Sequence, residues 1–145
     1  AAGRLPSGEA MLAAMALGAE GIQAGTLFAL TEESSASEEF KKKCTELAEG
    51  DTMLCLKKIA PTRLIKNDLY TKVAEAEDKG ATADELREIL GRAASKRGIF
   101  EGDMESGELE IGQIASDIKS IKPVSEVMKE LISGFEKAKE RVAQL

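Results

Sequence analysis

Two glycine corners separated by one short alanine-rich helix leave the first 34 residues little choice of fold. The chain opens with Ala2-Gly3-Arg4-Leu5-Pro6-Ser7-Gly8 and returns to a second corner at Gly21-Ile22-Gln23-Ala24-Gly25-Thr26-Leu27-Phe28. Residues 1–4 predict the end of a buried strand. The Ser7 hydroxyl is placed to cap the first free amides of a helix over 8–17. In that helix Ala10, Met11, Ala14 and Leu17 share one face, the small residues allow close approach to a sheet, and Gly18 suits a left-handed end. Ile22 to Thr26 then predicts the next strand. A strand, a helix and a second strand within about 25 residues make the crossover unit of a parallel sheet. In a (β/α)₈ barrel the loops after the last two strands form the usual phosphate site, and glycines at both corners fit that use. The expected fold is therefore α/β: the C-terminal part of a TIM (β/α)₈ barrel, its last one to two βα units, followed by a mainly helical extension. A complete barrel takes roughly 250 residues, whereas this chain has 145, so the expectation is the C-terminal portion of a larger enzyme.

Past Ser34 the pattern turns helical, with charge along one side. Ser37 is placed to cap a helix carrying Phe40, Cys44 and Leu47 and closed by Gly50. The apolar run 52–59, closed by Pro61, predicts a short strand or an extended arm. Asn67 predicts the cap of a helix reaching Gly80, and Thr82 with Glu85 makes a capping box for another ending near Gly98. Pro123 suits a first helical position. Val124, Val127, Met128, Leu131, Phe135, Ala138 and Val142 then form the apolar stripe of a terminal helix, packed on a barrel surface or a partner. The expected organisation is a barrel segment over 1–34, a helical extension or lid over 35–107, and C-terminal helices over 108–145. The Glu- and Lys-rich stretches are expected to be solvated helix faces.

Composition narrows the functional classes. Twenty Lys and Arg against 26 Asp and Glu give a net charge of −6, with the basic residues scattered among acidic ones, so a nucleic-acid partner is not expected. No apolar run approaches the roughly 20 residues that span a bilayer, and the start of the chain lacks the basic-then-apolar pattern of a signal peptide. Cys44 and Cys55 have neither metal-ligand spacing nor disulfide-scaffold density, which predicts two reduced thiols and a cytoplasmic protein.

Gly3, Gly25 and Thr26 are the candidates for holding a phosphate. A backbone N–H can approach an anion only where no side chain intrudes, and the Thr26 hydroxyl adds a donor at the same corner. Tight strand-to-loop turns need glycine too, which is the competing use of both positions. Gln23 lies two residues before Gly25, on the same strand face, as a cofactor contact or a satisfied interior amide. The chain has no histidine, so imidazole catalysis cannot come from it, and no Ser or Cys has an activating neighbour in sequence. The acidic pairs Glu32-Glu33 and Glu38-Glu39 are assigned no catalytic role, and no metal site is expected.

Taken in order, Ala2-Gly3, Ser7-Gly8, the run Leu17-Gly18-Ala19-Glu20-Gly21-Ile22-Gln23-Ala24-Gly25-Thr26-Leu27-Phe28 and Thr31-Glu32-Glu33-Ser34 resemble the C-terminal part of the nitronate monooxygenase family. That family includes the former 2-nitropropane dioxygenases and the similar FMN-dependent enoyl-(acyl-carrier-protein) reductases. Arg63-Leu64-Ile65-Lys66-Asn67 is similar to the arm that follows the barrel there. Glu101-Gly102-Asp103, Gly107 and Ile111-Gly112-Gln113-Ile114-Ala115 resemble its late loop-plus-helix segment. The resemblance implies FMN as cofactor, with Gly3, Gln23, Gly25 and Thr26 around its phosphate and ribityl and Gln113 lining the flavin pocket. The implied substrate is a nitronate or a 2-enoyl thioester. The implied catalytic histidine belongs to a barrel strand ahead of these residues, so the chain alone is expected to be inactive and to self-associate or pair with the missing N-terminal part. One departure stands out: Arg4-Leu5 follows Gly3 where a second glycine and an aliphatic residue are usual, and Arg4 is itself able to meet an anion. The alternatives are a non-catalytic helical interaction module and a different phosphate-binding barrel.

Overall fold

The Ser7 hydroxyl accepts a hydrogen bond from the Ala10 N–H at 3.3 Å, and the helix it caps, α1, runs Gly8–Ala16. A computed structural model describes residues 1–144. Gly18 at φ +98° turns the chain out of α1, as its position predicts, and the return brings Gln23 beside Ala2 in a parallel bridge. The Gln23 N–H donates to the Ala1 carbonyl at 2.8 Å. Strand, helix and parallel return are thus present, but each strand is reduced to one bridged residue. A strand is sustained by neighbours that take its remaining N–H and C=O groups, and these two segments have only each other among the described residues.

The strand expected over Ile22–Thr26 stops before Gly25. From there the chain closes its own hydrogen bonds as a short helix, α2, Gly25–Ala29, with Leu30 buried at its end. Residues two apart therefore cease to share a face at this corner, and the alternation linking Gln23 to Gly25 does not hold.

Helix α3, Glu38–Thr45, is capped by the Ser37 hydroxyl, as expected. It ends earlier than predicted, because Gly50 at φ +92° serves the following turn instead, where the Asp51 carboxylate accepts from the Ala48 N–H at 2.7 Å. Lys41 departs from the solvated-face expectation. It is 1% exposed, and its ammonium donates to the Glu32 carbonyl and the Glu38 carboxylate.

The apolar run beginning at Thr52 is a strand. β1, Thr52–Cys55, pairs antiparallel with β2, Thr62–Ile65. β2 is paired on its other side as well: the Ile65 N–H donates to the Leu109 carbonyl and the Ile111 N–H to the Arg63 carbonyl. Successive strand residues face opposite ways, and Leu64 and Ile65 accordingly enter different cores. Ile65 joins Phe40, Cys44, Leu47, Leu109 and Ile111. Leu64 joins Leu56, Leu69, Val73 and Leu86.

The second core is built by α4, Asp68–Asp78, and α5, Ala83–Leu90. Asn67 caps α4 and Thr82 with Glu85 forms the expected capping box. α5 stops at Gly91, φ +68°, rather than near Gly98. Gly98 lies instead in a single wide turn over Lys96–Phe100, where its backbone touches that of Gly107: a Cβ on Gly107 would stand 2.3 Å from the Gly98 Cα. That tertiary approach is the use of Gly98.

The terminal helix α6, Val124–Val142, starts one residue after Pro123, which takes the cap position in place of the first helical one. Both carboxylate oxygens of Glu33 accept from the Val124 N–H, at 3.1 and 2.9 Å. The α6 stripe is buried at Val127, Leu131 and Ala138 but exposed at Met128 and Val142. It packs on α1, where Gly8 lies against the backbone of Leu131–Phe135. Leu17, expected on the packed face of α1, is 91% exposed.

Candidate functional site

The bridge between Ala2 and Gln23 sets the two glycine corners side by side. On one strand end stand Gly3, φ +87°, and Arg4, φ +36°. On the other, Gln23 and Ala24 lead into α2. Ala24 at the cap position offers no side-chain hydrogen bond to the first amides of α2. Those N–H groups have no intrahelical partner either, since the first four of any helix lack one. At both Gly3 and Gly25 nothing lies within 4 Å of where a Cβ would sit. The two corners thus have room beside Gly3 and Gly25, uncapped amides at the head of α2, and the exposed Arg4 next to Gly3 in the chain. This donor set fits an anion such as a phosphate monoester.

Thr26 is engaged elsewhere. Its Oγ1 accepts from the Gly112 N–H at 3.1 Å, and a Cβ on Gly112 would stand 2.4 Å from that oxygen. The hydroxyl proton stays free to donate, but the main work of Thr26 is to hold the segment after β2 against α2. Several local choices bring that segment there. The Asn67 side-chain amide donates to the Met104 and Gly107 carbonyls at 3.1 and 2.9 Å while its oxygen caps α4. The Gly98–Gly107 approach turns the chain, and the bridge between Leu64 and Glu110 aligns it. Gln113 follows at the start of a 3₁₀ turn, Gln113–Asp117, exposed and one residue beyond the Thr26–Gly112 clamp. The Ala2–Gln23 bridge and the Thr26–Gly112 hydrogen bond thus connect the segments that carry the five predicted residues: Gly3 and Gln23 at the bridged strand ends, Gly25 and Thr26 at the head of α2, and Gln113 next in sequence to Gly112.

From Gly25 and Thr26 a groove of ≈ 400 Å³ runs to Arg63 and Glu110. The Arg63 guanidinium donates to the Thr52 carbonyl and hydroxyl at 2.9 and 3.2 Å, which orients its remaining donors. Reading the sequence missed this groove. Its signal was the alternation Leu109-Glu110-Ile111, which suits a strand neighbour for β2 in a segment read as a loop.

The cysteines are unreactive by position. Burial pushes the Cys44 thiol up to about 12. Burial, aided by the Glu77 and Glu108 carboxylates, pushes Cys55 up to about 11. Both are free thiols. No group of three or more metal-ligating side chains comes together among the described residues, and no described helix is long and apolar enough to cross a membrane.

Fold and candidate site together define an α/β chain in which two glycine corners stand side by side at bridged parallel strand ends, next to a groove lined by Arg63 and Glu110. Residues 1–134 match the profile of the nitronate monooxygenase family. The chain is 33% identical over 102 residues to a probable nitronate monooxygenase of Staphylococcus saprophyticus subsp. saprophyticus, which is 68% of this chain and 29% of that protein. Among solved structures it is similar to FabK of Thermotoga maritima, with a TM-score of 0.89 and 31% identity over 99% of this chain and 45% of that one. Nitroalkane oxidase of Streptomyces ansochromogenes shares the fold, with a TM-score of 0.75 and 22% identity over 97% of this chain and 40% of that one. This chain belongs to the nitronate monooxygenase family, and it spans less than half the length of each of these relatives.

Proposed function

We propose that the chain is the C-terminal portion of an FMN-dependent oxidoreductase of the nitronate monooxygenase type and forms the phosphate end of the flavin site. The observation that carries this is the paired glycine corner, open at Gly3 and Gly25 and uncapped at Ala24, in a chain matching the family over residues 1–134. FMN would supply electron transfer with the substrate. In this reading the amides of Gly3, Gly25 and Thr26 orient the flavin phosphate, Gln23 reaches the ribityl, and Gln113 lines the flavin pocket. Arg63 and Glu110–Gly112, which line the groove beside Gly25 and Thr26, flank the site. The base is not among these residues, since the chain has no histidine; it would come from the rest of the barrel.

Gly25→Asp tests the reading. The substitution adds a carboxylate where a Cβ meets nothing within 4 Å, at a helix N-terminus where an acidic residue favours the fold. The melting temperature is expected to hold or rise while FMN affinity, followed by quenching of flavin fluorescence, falls about tenfold or more through charge repulsion. Unchanged FMN affinity would sink the proposal.

A second reading, a flavin-dependent enoyl-thioester reductase, is favoured by the likeness to FabK at a TM-score of 0.89 over 99% of the chain. Assaying the gene product against an alkyl nitronate with oxygen, and against a 2-enoyl thioester with a reduced nicotinamide, separates the two.

A further inference from the structure

Helix α6 has two apolar faces. Val127, Leu131 and Ala138 are buried on the side that packs on α1, whereas Met128, Ile132 and Val142 are 41%, 55% and 54% exposed, with Phe135 half-buried between them. At about 100° per residue, positions 128, 132, 135, 139 and 142 fall within about 80° of arc, centred about 80° round from the buried set. Their steps alternate between four and three residues, the 3.5-residue repeat of a seam between two helices. The other large apolar residues exposed among the described ones form no such row. Leu17 stands at the end of α1, Phe100 in the wide turn, and Met53 and Leu54 adjoin on β1 and so face opposite ways. Scattered exposure of that kind needs no explanation, and a row at coiled-coil spacing does.

The charges beside this row say what covers it. Lys129 and Glu136 line its far edge, away from α1, and both are exposed. Among the described residues Lys129 makes no ion pair, and Glu136 pairs only with Lys139 on the same helix. In an antiparallel pair of α6 helices that sets Ile132 against Phe135 of the second copy, Met128 meets the Lys139 stem, and Lys129 comes within about 3 Å, along the axis, of Glu136 of the second copy. A two-fold axis makes every such contact twice. A parallel copy would turn the two charges toward Leu131 and Ala138, which α1 already covers, and pair neither. We infer that the outer face of α6 is a docking surface for a second copy of this chain, paired antiparallel through Met128, Ile132 and Phe135 with reciprocal Lys129–Glu136 ion pairs. The inference stands apart from the flavin reading, because none of these residues lies at the glycine corners or in the groove beside them.

Sedimentation equilibrium of the purified chain over a range of concentrations tests this, with the wild type expected to dimerise reversibly. Ile132→Glu, at an exposed position that the fold of a single copy tolerates, is expected to weaken dimerisation about tenfold or more, with the melting temperature of the dilute protein unchanged. Lys129→Glu and Glu136→Lys are each expected to weaken it about threefold or more, and the double variant to return to within about twofold of wild type. Residues seven apart on one helix stand about 10 Å apart along its axis, so restoration requires pairing between copies. A wild type that stays monomeric at every concentration overturns the inference. Association that Ile132→Glu leaves unchanged overturns it too, by placing the contact at another surface such as the bridged strand ends. A double variant no better than the singles overturns the antiparallel pairing.

Discussion

At Gly112 a hydrogen atom faces the Thr26 hydroxyl, and the absence of a side chain there joins two segments 86 residues apart. Adding one methyl sets a carbon 2.4 Å from Thr26 Oγ1, so either the 3.1 Å hydrogen bond or the backbone around it has to yield. Gly112→Ala is expected to destabilise by about 1–3 kcal/mol, read from urea unfolding. Thr26→Ala in the same chain removes the oxygen that is struck, so the double variant is expected to cost less than the sum of the singles, and a double-mutant cycle measures that coupling. Additive costs would mean that the two residues do not meet. Cys44 makes the opposite kind of point. Its neighbours on a helix face mark it as a core position, and its burial removes it from thiol chemistry.

The contact between α1 and α6 shows how one residue sets the spacing of two elements. A Cβ on Gly8 would stand 2.0 Å from the Phe135 backbone nitrogen and 2.4 Å from the Leu131 carbonyl oxygen. Backbone cannot step aside as a side chain can, and Gly8→Ala is expected to separate the helices at a cost of about 3 kcal/mol or more. Gly134, on the other side of the same contact, has its closest neighbour at 3.4 Å. Gly134→Ala is therefore expected to be neutral or stabilising, by up to about 1 kcal/mol of helix propensity. Thermal unfolding of the two single variants checks the asymmetry, and equal losses would refute it. Both glycines lie in helix-forming stretches and neither is at a turn, so in sequence they are equivalent. Helix existence was legible for a local reason, because Ser7, Ser37, Asn67 and Thr82 each cap within three residues. Helix ends were less so: α3 and α5 stop early because Gly50 and Gly98 serve a turn and a tertiary approach.

For the molecule as a whole, the buried thiols tie stability to alkaline pH. Cys44 rises from 9.0 to about 12 and Cys55 from 9.0 to about 11. A raised pKa means the folded state favours the protonated thiol. The stabilisation is complete below the unfolded value near 9 and is lost as pH climbs through the folded values. Stability is expected to fall from about pH 9, with both thiols contributing up to about pH 11 and Cys44 alone up to about 12, each adding a slope of about 1.4 kcal/mol per pH unit. Comparing urea midpoints at pH 8, 9 and 10 for wild type and Cys44→Ala checks this, since the variant should lose stability less steeply. Parallel slopes would show that Cys44 does not contribute.

The sequence by itself determined the helix caps, the left-handed turn at Gly18, the α1 return to a parallel neighbour and the family. These rest on interactions within a few residues, or on motifs whose order survives in one dimension. Only the tertiary structure decided that Ile22–Thr26 becomes one bridge and a short helix, that β2 lies between two cores, and that the groove passes from Gly25 to Arg63 and Glu110. Each of these depends on which segments become neighbours across tens of residues. A backbone group takes whichever partner the assembled fold brings within hydrogen-bonding distance, and no local pattern records that choice.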